Sequence, residues 1–191
     1  VAAVGVVSGL GRGLQALQGA LGEHRGAAAP LPPEVRGAAP SVLAALAPPL
    51  PELPGFEDDR KVALLAEAAA QALVGCPEVD PVRRGVFLGT GLSSVTPREV
   101  EEDVFPHVRE GRVDRSAALR DLGPGVAPGR HLPHRATAWL AHDWGAQGPV
   151  GTTFSACAAA AEAIAAAFQA VARGEADVVL VGGHDAMVHP L

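Results

Sequence analysis

The 191 residues suffice for one domain with a sizeable core, and a formal charge of −6 argues against nucleic acid or an acidic membrane surface as the main partner. Hydrophobic residues make up 48 % of the chain but aromatic ones only 4 %, and alanine supplies much of the difference, so the core must be filled by close backbone approach rather than by large rings. No apolar run is long enough to span a bilayer, and the opening VAAVGVVSGL is too short, and lacks the basic flank, for a signal peptide.

Val1 to Val7 (VAAVGVV) reads as a buried strand, followed by glycines at 9, 11 and 13 and a short helical pattern, LQALQGAL. The glycine spacing is not that of a dinucleotide fingerprint. Residues 25–55 are rich in proline and alanine and read as an irregular surface segment, with at best one short helix near Ser41 to Leu46. Asp58 and Asp59 then open a helix to about Val74 that lines up Val62, Leu65, Ala69 and Leu73. Its exit holds Cys76, with no partner nearby in sequence.

Arg84 to Gly91 (RGVFLGTG) reads as a second buried strand, followed by a polar, partly helical stretch (PREVEEDVFPHVREG) and a loop, DLGPGVAPGRHLP. His134 to Gly145 reads as a helix broken at Gly148-Pro149, and VGTTF as a third strand. An alanine helix from about Ala158 to Arg173 and a fourth strand, Ala176 to Gly183, complete the pattern. Alternating strands and helices with near-continuous apolar strands predict an α/β fold with a mainly parallel sheet covered on both faces.

Ser155-Ala156-Cys157 lies between a strand and a helix, the setting of a nucleophile elbow. A helix N-terminus favours thiolate over thiol, and its free N–H groups suit a developing oxyanion. Position alone leaves an inert, buried Cys157 equally open. On the helix, Ile164, Phe168 and Val171 share one face, with Glu162, Gln169 and Arg173 opposite and alanine between. Such slimness suits a helix sandwiched between two sheets. Cys76 and Cys157 match no metal-ligand spacing; a disulfide is open, and a pair of free thiols in the cytoplasm is the default.

GPVGTTFSACAAAAEAIAAAFQAVARGEADVVLVGGHDAMVHPL resembles the active-site cysteine region of the β-ketoacyl-acyl carrier protein synthases, ketosynthases of the thiolase-fold superfamily. The matching elements are Ser155-Ala156-Cys157, Gly174-Glu175-Ala176-Asp177, Gly182-Gly183 and Pro190-Leu191. Val1 to Leu21, Asp58 to Leu73 and Gly85 to Gly91 resemble the family's first strand and turn, next helix and next strand.

The resemblance implies that residues 1–191 form a ketosynthase N-terminal domain, half of a five-layer αβαβα fold, with the alanine-rich helix buried in the middle layer. It implies that Cys157 is the catalytic nucleophile. An acyl chain would pass to it from the phosphopantetheine of acyl carrier protein, with no separate cofactor and no metal, for decarboxylative Claisen condensation with a malonyl donor in fatty acid or polyketide biosynthesis. It also implies a homodimer, or a heterodimer with a ketosynthase-like chain.

The family's two catalytic histidines belong to the second half of its fold. No His-Gly-Thr-Gly-Thr motif is present, and the histidines at 24, 107, 131, 134, 142, 184 and 189 read as surface or loop residues. His184-Asp185 stands where the family has a small residue and glutamate. Condensation is therefore expected only with a C-terminal half or a partner. The alternative is a non-condensing, chain-length-factor-like accessory subunit, against which the intact Cys157 speaks. A thiolase is a third reading, but thiolases place their first cysteine earlier in the chain.

Overall fold

The structure is a computed structural model that describes residues 1–31, 43–57, 59–91, 102, 104–122 and 132–186. At its centre are three parallel strands, β5 (Arg84–Gly89), β8 (Val150–Thr153) and β9 (Val178–Gly183), in the spatial order β8-β5-β9. Val86 pairs with Val150 on one side and Leu180 on the other, and Gly89 with Thr153 and Gly183, so the three strands end level. Parallel strands need crossover connections. Here β8 reaches β9 by passing over β5 through helix α5 (Ala159–Ala172).

The other face carries helices α2 (Arg60–Leu73) and α4 (Arg135–Trp144). Val62, Leu65, Leu140, Val86 and Leu88 are buried together there with Phe56, Ala69, Ala136 and Ala141. Each fully buried Val or Leu contributes about 1.5–3 kcal/mol, and this side supplies most of the large apolar side chains of the core. Leu73 ends the predicted stripe half-buried. Helix α4 stops at Gly145, in the left-handed conformation at φ 68°, where a glycine is accommodated without a Cβ clash. Thr137 of α4 and Thr152 of β8 share a 2.6 Å hydrogen bond between their hydroxyls.

The lower end of the sheet is latched by two arginines. Arg83 pairs with Asp177 at 2.6 Å and donates to the Gly174 carbonyl, and its hydrogen bond holds the Asp177 carboxyl below the usual carboxylate range. Arg84 donates to the carbonyls of Val79 and Trp144 and lies 5.8 Å from the Trp144 ring centroid. The upper, C-terminal strand ends are left for the site.

Several sequence expectations need correcting. Residues 1–6 carry no strand; Val1 and Val4 are exposed, and only Val7–Ser8 (β1) pairs, in a tight hairpin with Gly11–Arg12 (β2) ahead of helix α1 (Leu14–Gly22). Gly5 lies so close to α2 that a Cβ there would meet the Ala68 carbonyl oxygen at 1.7 Å, so this stretch packs edge-on against a helix instead of joining the sheet. The short helix expected near Ser41 to Leu46 is replaced, over its described part, by Leu43–Ala44 (β4) pairing antiparallel with Ala29–Pro30 (β3). Ser41 and Val42 lie outside the described residues.

The stretch around Phe105 is a short 3-10 turn (Phe105–His107) leading into a hairpin of Val108–Arg109 (β6) and Arg112–Val113 (β7). Helix α3 (Arg115–Leu122) was not expected. The Asp114 carboxylate starts it by accepting the Ala117 N–H at 3.0 Å, and that bond holds the carboxyl below its usual range. Much of the glycine- and proline-rich loop, and Pro190-Leu191, fall outside the described residues.

Within this chain the alanine-rich helix α5 is buried on one face, and the face expected to lie against a second sheet is exposed. Ala159, Ala163, Ala167 and Ala170 pack on the sheet, while Ile164, Phe168 and Val171 are exposed. Among the described residues one sheet lies against α5, and alanine is dictated on that side. A Cβ on Gly89 would fall 2.3 Å from the Ala159 carbonyl carbon, and one on Gly183 2.7 Å from the Ala160 Cβ. Helix and strand ends approach as closely as backbone allows.

Candidate active site

Cys157 sits where β8 turns into α5. Thr153 ends the strand, a 3-10 turn spans Ala156–Ala158, and the helix begins at Ala159. Ala156 takes φ 50°, a left-handed conformation that costs a residue with a Cβ about 1–3 kcal/mol. That sharp turn leaves Cys157 exposed as a free thiol above the sheet. Cys76 is also free and half-buried, with its Sγ 3.7 Å from the Pro77 carbonyl oxygen. The two thiols are not joined.

The turn is fastened from below and from the side. The Thr153 hydroxyl donates to the Ala159 carbonyl at 2.6 Å, and the Ser155 hydroxyl to Glu162 at 2.6 Å. The Ala158 N–H donates to the Ser155 carbonyl and the Ala159 N–H to the Ala156 carbonyl. The expectation of free N–H groups around the thiol therefore holds only in part, because the 3-10 turn occupies two of them.

A shallow cleft opens beside the thiol. Cys157, Ala156 and Ala160 line it together with Gly89, Gly183, His184 and Asp185. Asp185 Oδ1 accepts the Thr90 hydroxyl at 2.8 Å and Oδ2 accepts the Gly91 N–H at 2.9 Å. Sequence reasoning set Asp185 aside; an acid just beyond Gly-Gly, level with the end of the neighbouring strand, was the available signal.

Of the described histidines, His184 alone lines the Cys157 cleft. His24, His134 and His142 are exposed, and His107 lies 3.6 Å from Asp121. His131 and His189 lie outside the described residues. His184 corrects the expectation of a surface residue. It is 7 % exposed, and neither ring nitrogen has a hydrogen-bond partner. It lines the cleft that Cys157 opens onto, with both ring nitrogens buried. Burial, reinforced by the Lys61 ammonium, lowers its pKa to about 4, so it is neutral at pH 7. Lys61 is itself buried, 3.8 Å from Asp59, whose carboxyl is pushed up by desolvation. Among the described residues no three His, Cys, Asp or Glu side chains form a metal-ligand set, and no helix is long and apolar enough to cross a membrane.

A parallel sheet whose strand ends carry a cysteine elbow, with a small-residue helix pressed on one face, defines a thiolase-like α/β fold. Two solved structures share it. One is a type II polyketide synthase acyl carrier protein in complex with its ketosynthase bound to the hexaketide, with TM-score 0.68 and 19 % identity, covering 100 % of this chain and 51 % of that one. The other is a β-ketoacyl synthase from Burkholderia phymatum STM815, with TM-score 0.65 and 22 % identity over 95 % of this chain and 45 % of that one.

Residues 58–191 match the family described as β-ketoacyl synthase, N-terminal domain, and the chain belongs to that family. It is 31 % identical over 122 residues to 3-oxoacyl-[acyl-carrier-protein] synthase 2 of Staphylococcus aureus, a match covering 64 % of this chain and 28 % of that protein. The matched segment thus spans under a third of the length of such a relative.

Proposed function

We propose that this chain is the cysteine-bearing part of a β-ketoacyl-acyl carrier protein synthase of fatty acid or polyketide biosynthesis, with Cys157 as the acyl acceptor. The observation that carries the reading is an exposed free thiol on a strained elbow between a parallel strand and a close-packed helix. The Cys157 sulfur attacks the carbonyl carbon of an acyl thioester borne by the phosphopantetheine of acyl carrier protein. The Cys157 N–H contributes part of the site for the resulting oxyanion. Collapse of the tetrahedral adduct releases the pantetheine thiol, which takes up the proton, and leaves acyl-Cys157.

Condensation with a malonyl donor needs groups that assist decarboxylation. The described histidine at the thiol's cleft, His184, is buried with both ring nitrogens unpartnered, so we assign that work to a C-terminal half of the fold or to a partner in a homodimer or heterodimer. The substrates arrive on acyl carrier protein and no further cofactor is invoked. Two free thiols favour the cytoplasm. The presence of Cys157 sets this reading above a non-condensing accessory subunit.

Mass spectrometry of the chain incubated with acyl-carrier protein tests it. The expected result is one acyl adduct, on Cys157, that is lost in Cys157→Ala. A chain whose Cys157 takes iodoacetamide but never an acyl group from the carrier overturns it, and two-carbon extension by this chain alone overturns the assignment of condensation to other residues.

A further inference from the structure

We infer that Asp185 is a positioning residue, which holds the backbone of the Cys157 elbow in the geometry needed for attack on a thioester. The inference rests on the reading of Cys157 as the acyl acceptor. The carboxylate sits just past the end of β9 and bridges two strand ends. Its two oxygens separately accept the Thr90 hydroxyl at 2.8 Å and the Gly91 N–H at 2.9 Å, fixing the residues that leave β5. Gly91 in turn abuts the elbow: a Cβ there would come 3.2 Å from Asp185 Oδ2 and 3.3 Å from Ala156 Cα.

Ala156 is the residue held at φ 50° immediately before Cys157. A non-glycine residue keeps such a conformation only where its surroundings over-determine it. Besides the Ser155–Glu162 bond and the turn's own N–H bonds, two restraints hold the elbow. Thr153 grips α5 through the Ala159 carbonyl, and the backbone of Gly91, tied down by Asp185, backs Ala156. Without Asp185 the second restraint is lost, and Ala156 is free to relax. Cys157 and its N–H then move together relative to an incoming carbonyl. Acyl transfer, which needs sulfur and N–H in register, is sensitive to that shift. Alkylation of an exposed thiol, which needs only access, is not.

The test compares two probes on the same thiol in the wild-type chain, Asp185→Ala, Asp185→Glu and Thr90→Val. One probe is iodoacetamide. The other is an acyl N-acetylcysteamine thioester, where a bond forms from the Cys157 sulfur to the acyl carbon and the N-acetylcysteamine thiol departs with the proton. Cys76, remote in sequence and read in the same digest, reports any general loosening. In Asp185→Ala, thioester acylation of Cys157 is expected to fall about tenfold while its iodoacetamide rate stays within about threefold. Asp185→Glu, which keeps two carboxylate oxygens, should restore at least half of the acylation rate. Thr90→Val, which spares the Gly91 bond, should lie between the wild type and Asp185→Ala.

Both probes slowing together, or neither, overturns the inference, as does an Asp185→Glu chain that folds yet is as slow as Asp185→Ala. If Asp185→Ala does not fold, the Glu and Val variants decide. The small thioester needs no carrier recognition. A chain with the expected pattern that ignores acyl-carrier protein therefore refutes the proposed function and leaves Asp185 in its role.

Discussion

Replacing Gly89 by alanine should damage the site out of proportion to the single methyl group added. The new Cβ would lie 2.3 Å from the Ala159 carbonyl carbon, 2.4 Å from its oxygen and 2.5 Å from the Ala160 nitrogen. All three are backbone atoms of the first turn of α5, so no side chain can swing aside. Restoring ordinary contact requires α5 and β5 to part by about 1 Å, and overpacking of this kind costs about 3 kcal/mol. For a chain of this size that lowers the melting temperature by about 6–12 °C.

The same 1 Å-scale shift moves the helix that begins two residues after Cys157, and a misplacement of that order costs about 100-fold in a reaction that depends on alignment. Circular dichroism melts read the first effect, and thioester acylation of Cys157 the second. Gly182→Ala is the control, because a Cβ at Gly182 meets nothing within 4 Å. If Gly89→Ala melts and acylates like Gly182→Ala, the close approach of α5 to the strand end is not a constraint and the argument for its alanines fails.

Three further outcomes are expected. The unfolded chain takes up a proton at His184 near pH 6.5 that the folded chain refuses until about pH 4, so stability is full above the first value and falls by roughly 3 kcal/mol as pH drops towards the second. Asp59, with its raised pKa, works in the opposite sense. The decisive quantity is therefore the difference from His184→Gln in denaturant titrations, and parallel pH profiles for the two chains would contradict a buried neutral imidazole. Ala160→Leu should cost about 1–3 kcal/mol, since the Ala160 Cβ lies where a Cβ on Gly183 would come within 2.7 Å, and an unchanged melt would show that space exists there. Phe168→Ser, on the open face of α5, should leave the melting temperature nearly unchanged while reducing self-association in sedimentation velocity, and unaltered association would show that this face is not what brings copies together.

The central elements were legible because each carries an unambiguous signal. RGVFLG and VVLVGG are apolar runs too short for helices, Gly148-Pro149 punctuates the chain before β8, and α5 follows the elbow directly. The N-terminal VAAVGVV carries the same apolar signal, yet Gly5 sits on the α2 backbone and no sheet partner pairs with residues 1–6. Apolarity records burial, not which neighbour does the burying. Helix α3 was missed because RSAALRDL is mostly polar, although the capping Asp114 was there to be read. At the site, Cys157 announced itself through its flanks. Asp185 acts through Gly91, 94 positions away in sequence, and only the register of β5 against β9 brings them together. His184 looked like a loop residue because sequence shows its neighbours along the chain and not Lys61 across the core.

The strand order β8-β5-β9 also sets a timetable. The middle strand is made first, and its two neighbours follow it in the chain. On a ribosome adding about 5–20 residues per second, the roughly 60 residues between Gly89 and Val150 keep both edges of β5 unpaired for about 3–12 s, and β9 arrives later still. During that interval Val86 and Leu88, later fully buried, have no sheet around them, and the hairpin and helices made in between cannot supply one. Nascent chains of this topology should therefore depend on holding chaperones, and slowing translation after Gly89 should lower the yield of native protein rather than raise it.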